Sequence, residues 1–169
     1  TVLLKGITLR DNYDFGVKVF NKGTITITNV NVNNHWQNGY GFYLYNNVTG
    51  STGSVSITNS TSSYNGSYGY CISSFGSVTL KNTTAHHNTY GGIYISNENA
   101  LTAQSVTLSD VIVFSTIGWV NSGGNGIDIL TKGKVTLNGV SSYNNSGKDL
   151  TGSYRSVHGW AGDQTWFKF

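Results

Sequence analysis

The 169-residue chain carries 10 Lys and Arg against 7 Asp and Glu, so only 10% of it is charged and the formal net charge is +3, less than half the usual charged share. With no run of Lys or Arg, and no apolar run near the roughly 20 residues of a spanning helix, neither nucleic acid nor a membrane span is expected. The single Cys71 excludes an internal disulfide and a cysteine metal cage, and no metal or cofactor is implied.

Asn, Ser and Thr contribute 20 residues each and Gly 22, nearly half the chain. Neutral polar groups therefore do the work of solvation that ions do elsewhere. There is no Met, and the chain starts inside the apolar run Val2-Leu3-Leu4. That start predicts an excised or processed piece of a longer protein, with other segments of the parent chain as neighbours.

An apolar-x-apolar triplet opens at Val2 and returns at Ile25, Val55, Val78, Val106 and Val135, in steps of 23, 30, 23, 28 and 29 residues. A glycine-led strand follows each of the first five triplets: Gly16-Val17-Lys18-Val19, Gly41-Phe42-Tyr43-Leu44, Gly69-Tyr70-Cys71-Ile72, Gly92-Ile93-Tyr94-Ile95 and Gly126-Ile127-Asp128-Ile129. Between them lies a short middle stretch, such as Ile7-Thr8-Leu9 or Val111-Ile112-Val113. Period-2 alternation and β-branched residues predict three short strands per coil, with no room for a helix. Strands so short must pair with their copies about 4.8 Å away in the next coil. The predicted fold is all-β, a three-faced solenoid of about six coils over residues 1–150. Residues 151–169, with Trp160, Trp166, Phe167 and Phe169, are expected to form an aromatic cap or the start of a following segment.

Turn residues repeat with the strands. Asn29, Asn59, Asn82 and Asp110 stand four residues after a triplet start, and Asn12, Asn65, Asn88 and Asn145 stand ten after. Asn tolerates left-handed backbone and stacks into amide ladders. The succession V-T-L-x-N, a middle strand, Asn, then G-I-x-I resembles the right-handed parallel β-helix repeat of pectate-lyase-like carbohydrate enzymes, bacterial surface proteins and phage tailspikes, over about residues 2–147. The resemblance implies the fold and leaves the function open, because this fold hosts lyases, hydrolases, epimerases and inert stalks.

The outward row of the first face reads Leu3, Thr26, Ser56, Thr79, Thr107 and Thr136, a hydroxyl surface without a carboxylate. Relatives by resemblance place acid clusters on a strand face, as a Ca²⁺ site or as paired acids, and this face supplies neither. The third face carries Lys18, Tyr43, Cys71, Tyr94 and Asp128 in its outward row. Insertions at about 46–52, 97–103 and 115–124 border it, and predict a groove floored by Tyr43 and Tyr94 with Tyr45 and Trp119 at the rim. Such rings suit sugar stacking as well as protein contact. Asp128 and Glu98 on adjacent coils, with Lys18, are the catalytic candidates. Cys71 is an outward thiol with nothing placed to lower its pKa. His35, His86 and His87 sit on coils too far apart for a shared metal. The leading expectation is a non-catalytic extracellular scaffold or adhesive, glycan-recognising module. Its alternative is a polysaccharide lyase or glycoside hydrolase, and further alternatives are an ice-binding surface and a tailspike fragment.

Overall fold

The computed structural model describes residues 1–35, 39–117, 124–153 and 156–158, the side chains through 152. In chain order the strands are β1 (Val2–Arg10), β2 (Val17–Phe20), β3 (Ile25–Asn33), β4 (Phe42–Asn46), β5 (Val55–Ser63), β6 (Tyr68–Ser74) and β7 (Val78–His86). There follow β8 (Gly91–Ser96), β9 (Val106–Phe114), β10 (Asn125–Leu130), β11 (Lys134–Asn138), β12 (Ser141–Tyr143), β13 (Leu150–Ser153) and β14 (Ser156–His158). Strands alternate between two parallel sheets. One is ordered β1-β3-β5-β7-β9-β11-β14, with β12 also on β9, and the other β13-β10-β8-β6-β4-β2. No helix among the described residues is long and apolar enough to cross a membrane.

Pairing follows the repeat residue for residue. Val2, Ile25, Val55, Val78, Val106 and Val135 form one column, and the Thr/Ser row beside it is in register from Leu3 to Thr136. The expected first and middle strands are one nine-residue strand in β1, β3, β5, β7 and β9, and only the last coil separates them as β11 and β12. The join is a single left-handed residue: Gly6, Asn29, Asn59, Asn82, Asp110 and Gly139 have φ between 49° and 66°. In β3 this residue shifts the alternation by one, so Ile25 and Ile27 point in before it and Val30 and Val32 after it. A one-residue phase shift turns the chain through a corner without ending the ladder.

A second left-handed position follows nine residues after each triplet start, at Asp11, Asn34, Tyr64, His87, Ser115 and Asn144, with φ between 53° and 61°. Left-handed backbone is costly for Tyr and His. Their rings stack on each other at 4.8 Å, and His86, Phe114 and Tyr143 stack beside them at 4.9 and 5.4 Å. From the second coil on, the next residue forms the interior ladder, whereas Asn12 of the first coil is exposed. Asn65 and Asn88 are buried; Asn65 donates from Nδ2 to Asn88 Oδ1 at 2.8 Å, and the His35 backbone N–H donates to Asn65 Oδ1 at 3.3 Å.

His35 replaces Asn in that ladder, 1% exposed and with neither ring nitrogen in a hydrogen bond. Burial lowers its pKa from 6.5, outweighing the Leu9 and Asn12 backbone and the Asp11 carboxylate, which pull it up. The unfolded chain then binds the proton more readily than the folded one. Stability is intact above pH 6.5 and is lost as pH falls through and below that value. His35→Asn is expected to flatten this acid limb, measured by chemical denaturation from about pH 7.5 to about pH 5. His86, whose pKa is also lowered, first by burial and then by His87, keeps a residual slope.

The core is one apolar cluster running along the inside of both sheets. Its largest side chains, Phe42 and Tyr70, stack at 4.7 Å and fill the space left by the small inward Ser60 and Ser62. The buried Tyr70 hydroxyl donates to the Ser60 carbonyl at 2.8 Å, which satisfies it.

The ladder also runs past the boundary expected at residue 150. β13 pairs Leu150 with Ile127, and β14 pairs Val157 with Val135. The expected aromatic cap, with Trp160, Trp166, Phe167 and Phe169, lies outside the described residues.

Candidate functional site

β2, β4, β6, β8 and β10 place Lys18, Tyr43, Cys71, Tyr94 and Asp128 in one outward row, each opposite the next. Two residues on, Phe20, Tyr45, Ser73, Ser96 and Leu130 make a second row. Residues just before or at the start of the strands add Phe15, Tyr40, Tyr68 and Tyr90. The rings join into one belt. Phe15 meets Tyr40 at 5.6 Å and Tyr43 at 5.4 Å, and Tyr40 meets Tyr43 edge-on at 5.0 Å. Tyr40 continues to Tyr68 at 6.3 Å, and Tyr68 to Tyr90 at 6.4 Å and Tyr94 at 5.7 Å. Phe20 and Tyr45 close the other edge at 5.4 Å. Four successive coils thus carry rings on a hydrogen-bonded sheet, where backbone pairing fixes their spacing.

Lys18 lies at the first end of the row with Nζ 4.0 Å from the Phe15 ring centre and 5.7 Å from that of Phe20. Its charge is held by aromatic faces. Asp128 stands at the far end, four strand spacings or roughly 19 Å away, so Lys18 and Asp128 do not converge. Burial raises the Asp128 carboxyl above its usual range. Burial, then the Asp128 charge, pushes the Tyr68 phenol up to about 12. Tyr94 is raised chiefly by burial, and the charges of both Asp128 and Glu98 add to it. Asp128 stands directly opposite Tyr94 on the neighbouring strand. Tyr43 is also raised, first by burial and then by Cys71, Tyr40 and Tyr45. Tyr43, Tyr68 and Tyr94 keep their protons at neutral pH and remain hydrogen-bond donors. Cys71, at the centre of the row, is pushed up to about 12 by burial and is a thiol rather than a nucleophilic thiolate.

The expected groove over Tyr43 and Tyr94 rests in part on the insertion 115–124, most of which lies outside the described residues. Residues 46–52 and 97–103 lie at and beyond the C-terminal ends of β4 and β8. Asn46 Nδ2 donates to Gly53 O at 2.7 Å and Asn97 Nδ2 to Gln104 O at 3.3 Å, closing both loops at their bases. Between the loops is a cleft of about 480 Å³, which Tyr43, Tyr45 and Tyr94 do not line. Trp119, expected at the rim, lies outside the described residues. Phe15, Tyr40 and Tyr68 were missed as members of the belt because each precedes the glycine that marks its strand, although the recurrence of an aromatic at that position was a readable signal.

No group of three or more His, Cys, Asp or Glu side chains among the described residues is placed to hold a metal ion. No protein-family model, characterised protein or solved structure matches the chain.

Proposed function

We propose that the chain is a right-handed, three-faced parallel β-helix of a secreted or surface-exposed protein, and that it acts without catalysis as a rigid platform for glycan recognition. One observation carries this reading: a continuous belt of half-exposed Tyr and Phe rings on the outer face of the β2–β4–β6–β8–β10 sheet. Such rings offer flat apolar faces with hydroxyl edges. The strand ladder pays their ordering entropy in advance, which favours a weakly interacting neutral ligand. A glycan lying along the solenoid axis meets a ring in each of four coils. The charged groups, Lys18 and Asp128, stand at the two ends of the row.

A polysaccharide panel read for both binding and cleavage tests the proposal. Binding without cleavage is the expected result. Cleavage that disappears in Asp128→Asn or Glu98→Gln would instead support an enzyme, the reading that the Asp128 carboxyl, raised by burial beside Tyr94, favours.

A further inference from the structure

The cleft past the sheet end owes its shape to unequal coils. The coils that contain β4 and β8 each carry a loop of extra residues at this corner, whereas the coil between them turns in the short segment Ser74–Ser77. The loops stand two strand spacings apart, about 10 Å, and Phe75 from the short turn lies between them. Thr49 and Thr52 belong to one wall, and Asn99, the exposed Leu101, Thr102 and Gln104, whose Nε2 donates to Thr102 Oγ1 at 2.8 Å, to the other. None of the nine lining residues is charged.

Each wall is stiff. The Asn46 and Asn97 amides close the loop bases, the Ser51 N–H donates to Val48 O at 2.8 Å, and the Ala100 N–H donates to Asn97 O at 3.1 Å. Ser51 Oγ also donates to Lys22 O at 2.8 Å on the preceding coil, tying the first loop to its neighbour. The space is thus preformed, and its volume lies within the roughly 300–1,000 Å³ of small-molecule sites.

We propose that this cleft is a subsite for one neutral pyranose unit, stacked on Phe75 and hydrogen-bonded by the hydroxyl and amide groups of the two walls. The lining chemistry makes the choice. An aromatic ring flanked by groups that both donate and accept matches a ring with an apolar face and an equatorial belt of hydroxyls. A carboxylated or phosphorylated ligand would find no cationic partner in the lining. The subsite rests on the glycan reading for its class of ligand, but it shares no lining residue with the aromatic belt.

The test is a ¹H–¹⁵N NMR titration of the full chain with methyl glycosides of glucose, galactose and mannose, with cyclohexanol as a ring of similar size and one hydroxyl. Saturable shifts confined to amides of residues 49–52, 74–76 and 99–104 are expected with at least one glycoside, with a dissociation constant in the millimolar range. Cyclohexanol should bind at least tenfold more weakly. Phe75→Ala and Thr102→Trp, the second filling the cleft from an exposed position, should each weaken binding at least tenfold, while Tyr143→Ala, on β12 of the other sheet, should leave it unchanged. No saturable shift with any glycoside, equal binding of cyclohexanol, or binding that survives Thr102→Trp would overturn the subsite. If the cleft shifts persist while glycan-array binding is absent, the belt reading fails and the subsite stands.

Discussion

Gly92→Ala is expected to lower stability by about 3 kcal/mol or more, the upper range for forcing atoms into a packed core. A methyl group at Gly92 would lie 2.2 Å from Val113 Cγ1 and 2.6 Å from the carbonyl oxygen of Gly126. The first contact is with a buried core side chain and the second with backbone of the next coil, so no simple rotation relieves both. The clash recurs along the row. Added methyl groups on Gly16, Gly41, Gly69 and Gly126, at the entries of β2, β4, β6 and β10, would each meet the next coil's carbonyl oxygen between 2.6 and 2.8 Å away. These glycines let the long strand of one sheet approach the other. In thermal denaturation the transition should fall by roughly 6–12 °C, at about 2–4 °C per kcal/mol for a chain of this size. Val113→Ala combined with Gly92→Ala should recover part of the loss, since the backbone contact remains. An unchanged midpoint for Gly92→Ala would contradict the close approach.

Asn88→Ala should be comparably severe. The Asn88 side chain is fully buried; its Oδ1 accepts from Asn65 N–H at 3.1 Å and from Asn65 Nδ2 at 2.8 Å, and its Nδ2 donates to Ser62 O at 3.1 Å. Alanine leaves these partners buried, at a cost of about 1–3 kcal/mol for each group left unsatisfied. A net loss of about 3 kcal/mol is expected. Asn31→Ala, on the exposed side of β3, should stay within about 0.5 kcal/mol. Urea denaturation of the two variants reads the difference directly. Equal losses would mean that the interior ladder carries no special weight.

The coil register was legible because two short patterns, the apolar triplet and the glycine-led strand, repeat at spacings that only stacking satisfies. What escaped was hidden by particular residues. The sheet strand of the last full coil was missed because Asp149 stands where the glycine should, and Leu150-Thr151-Gly152 replaces the usual I-x-I. Backbone pairing does not consult those side chains. Fusion of the first two strands was not visible either, since a residue such as Asn29 reads as a turn. A single left-handed residue bends the strand while the next coil copies the bend and the pairing continues. The left-handed row through Tyr64 and His87 gave no signal, because these are not turn-forming residues and the neighbouring coils impose the conformation. At the candidate site, alternation fixed the outward row from Lys18 to Asp128. It could not say where the insertions point, because a loop's direction depends on how its base is closed, here by Asn46 and Asn97.

The aromatic belt is tested most directly by glycan-array binding of the wild type beside Tyr43→Ala, Tyr68→Ala and Tyr143→Ala, each shown by circular dichroism to be folded. Tyr143 lies on β12 of the other sheet and serves as the control ring. Wild-type binding should weaken by about thirtyfold in Tyr43→Ala and Tyr68→Ala, the effect of losing about 2 kcal/mol at a central contact, and should be unchanged in Tyr143→Ala. Absence of any glycan ligand for the wild type, or binding that survives both belt substitutions, would contradict the platform.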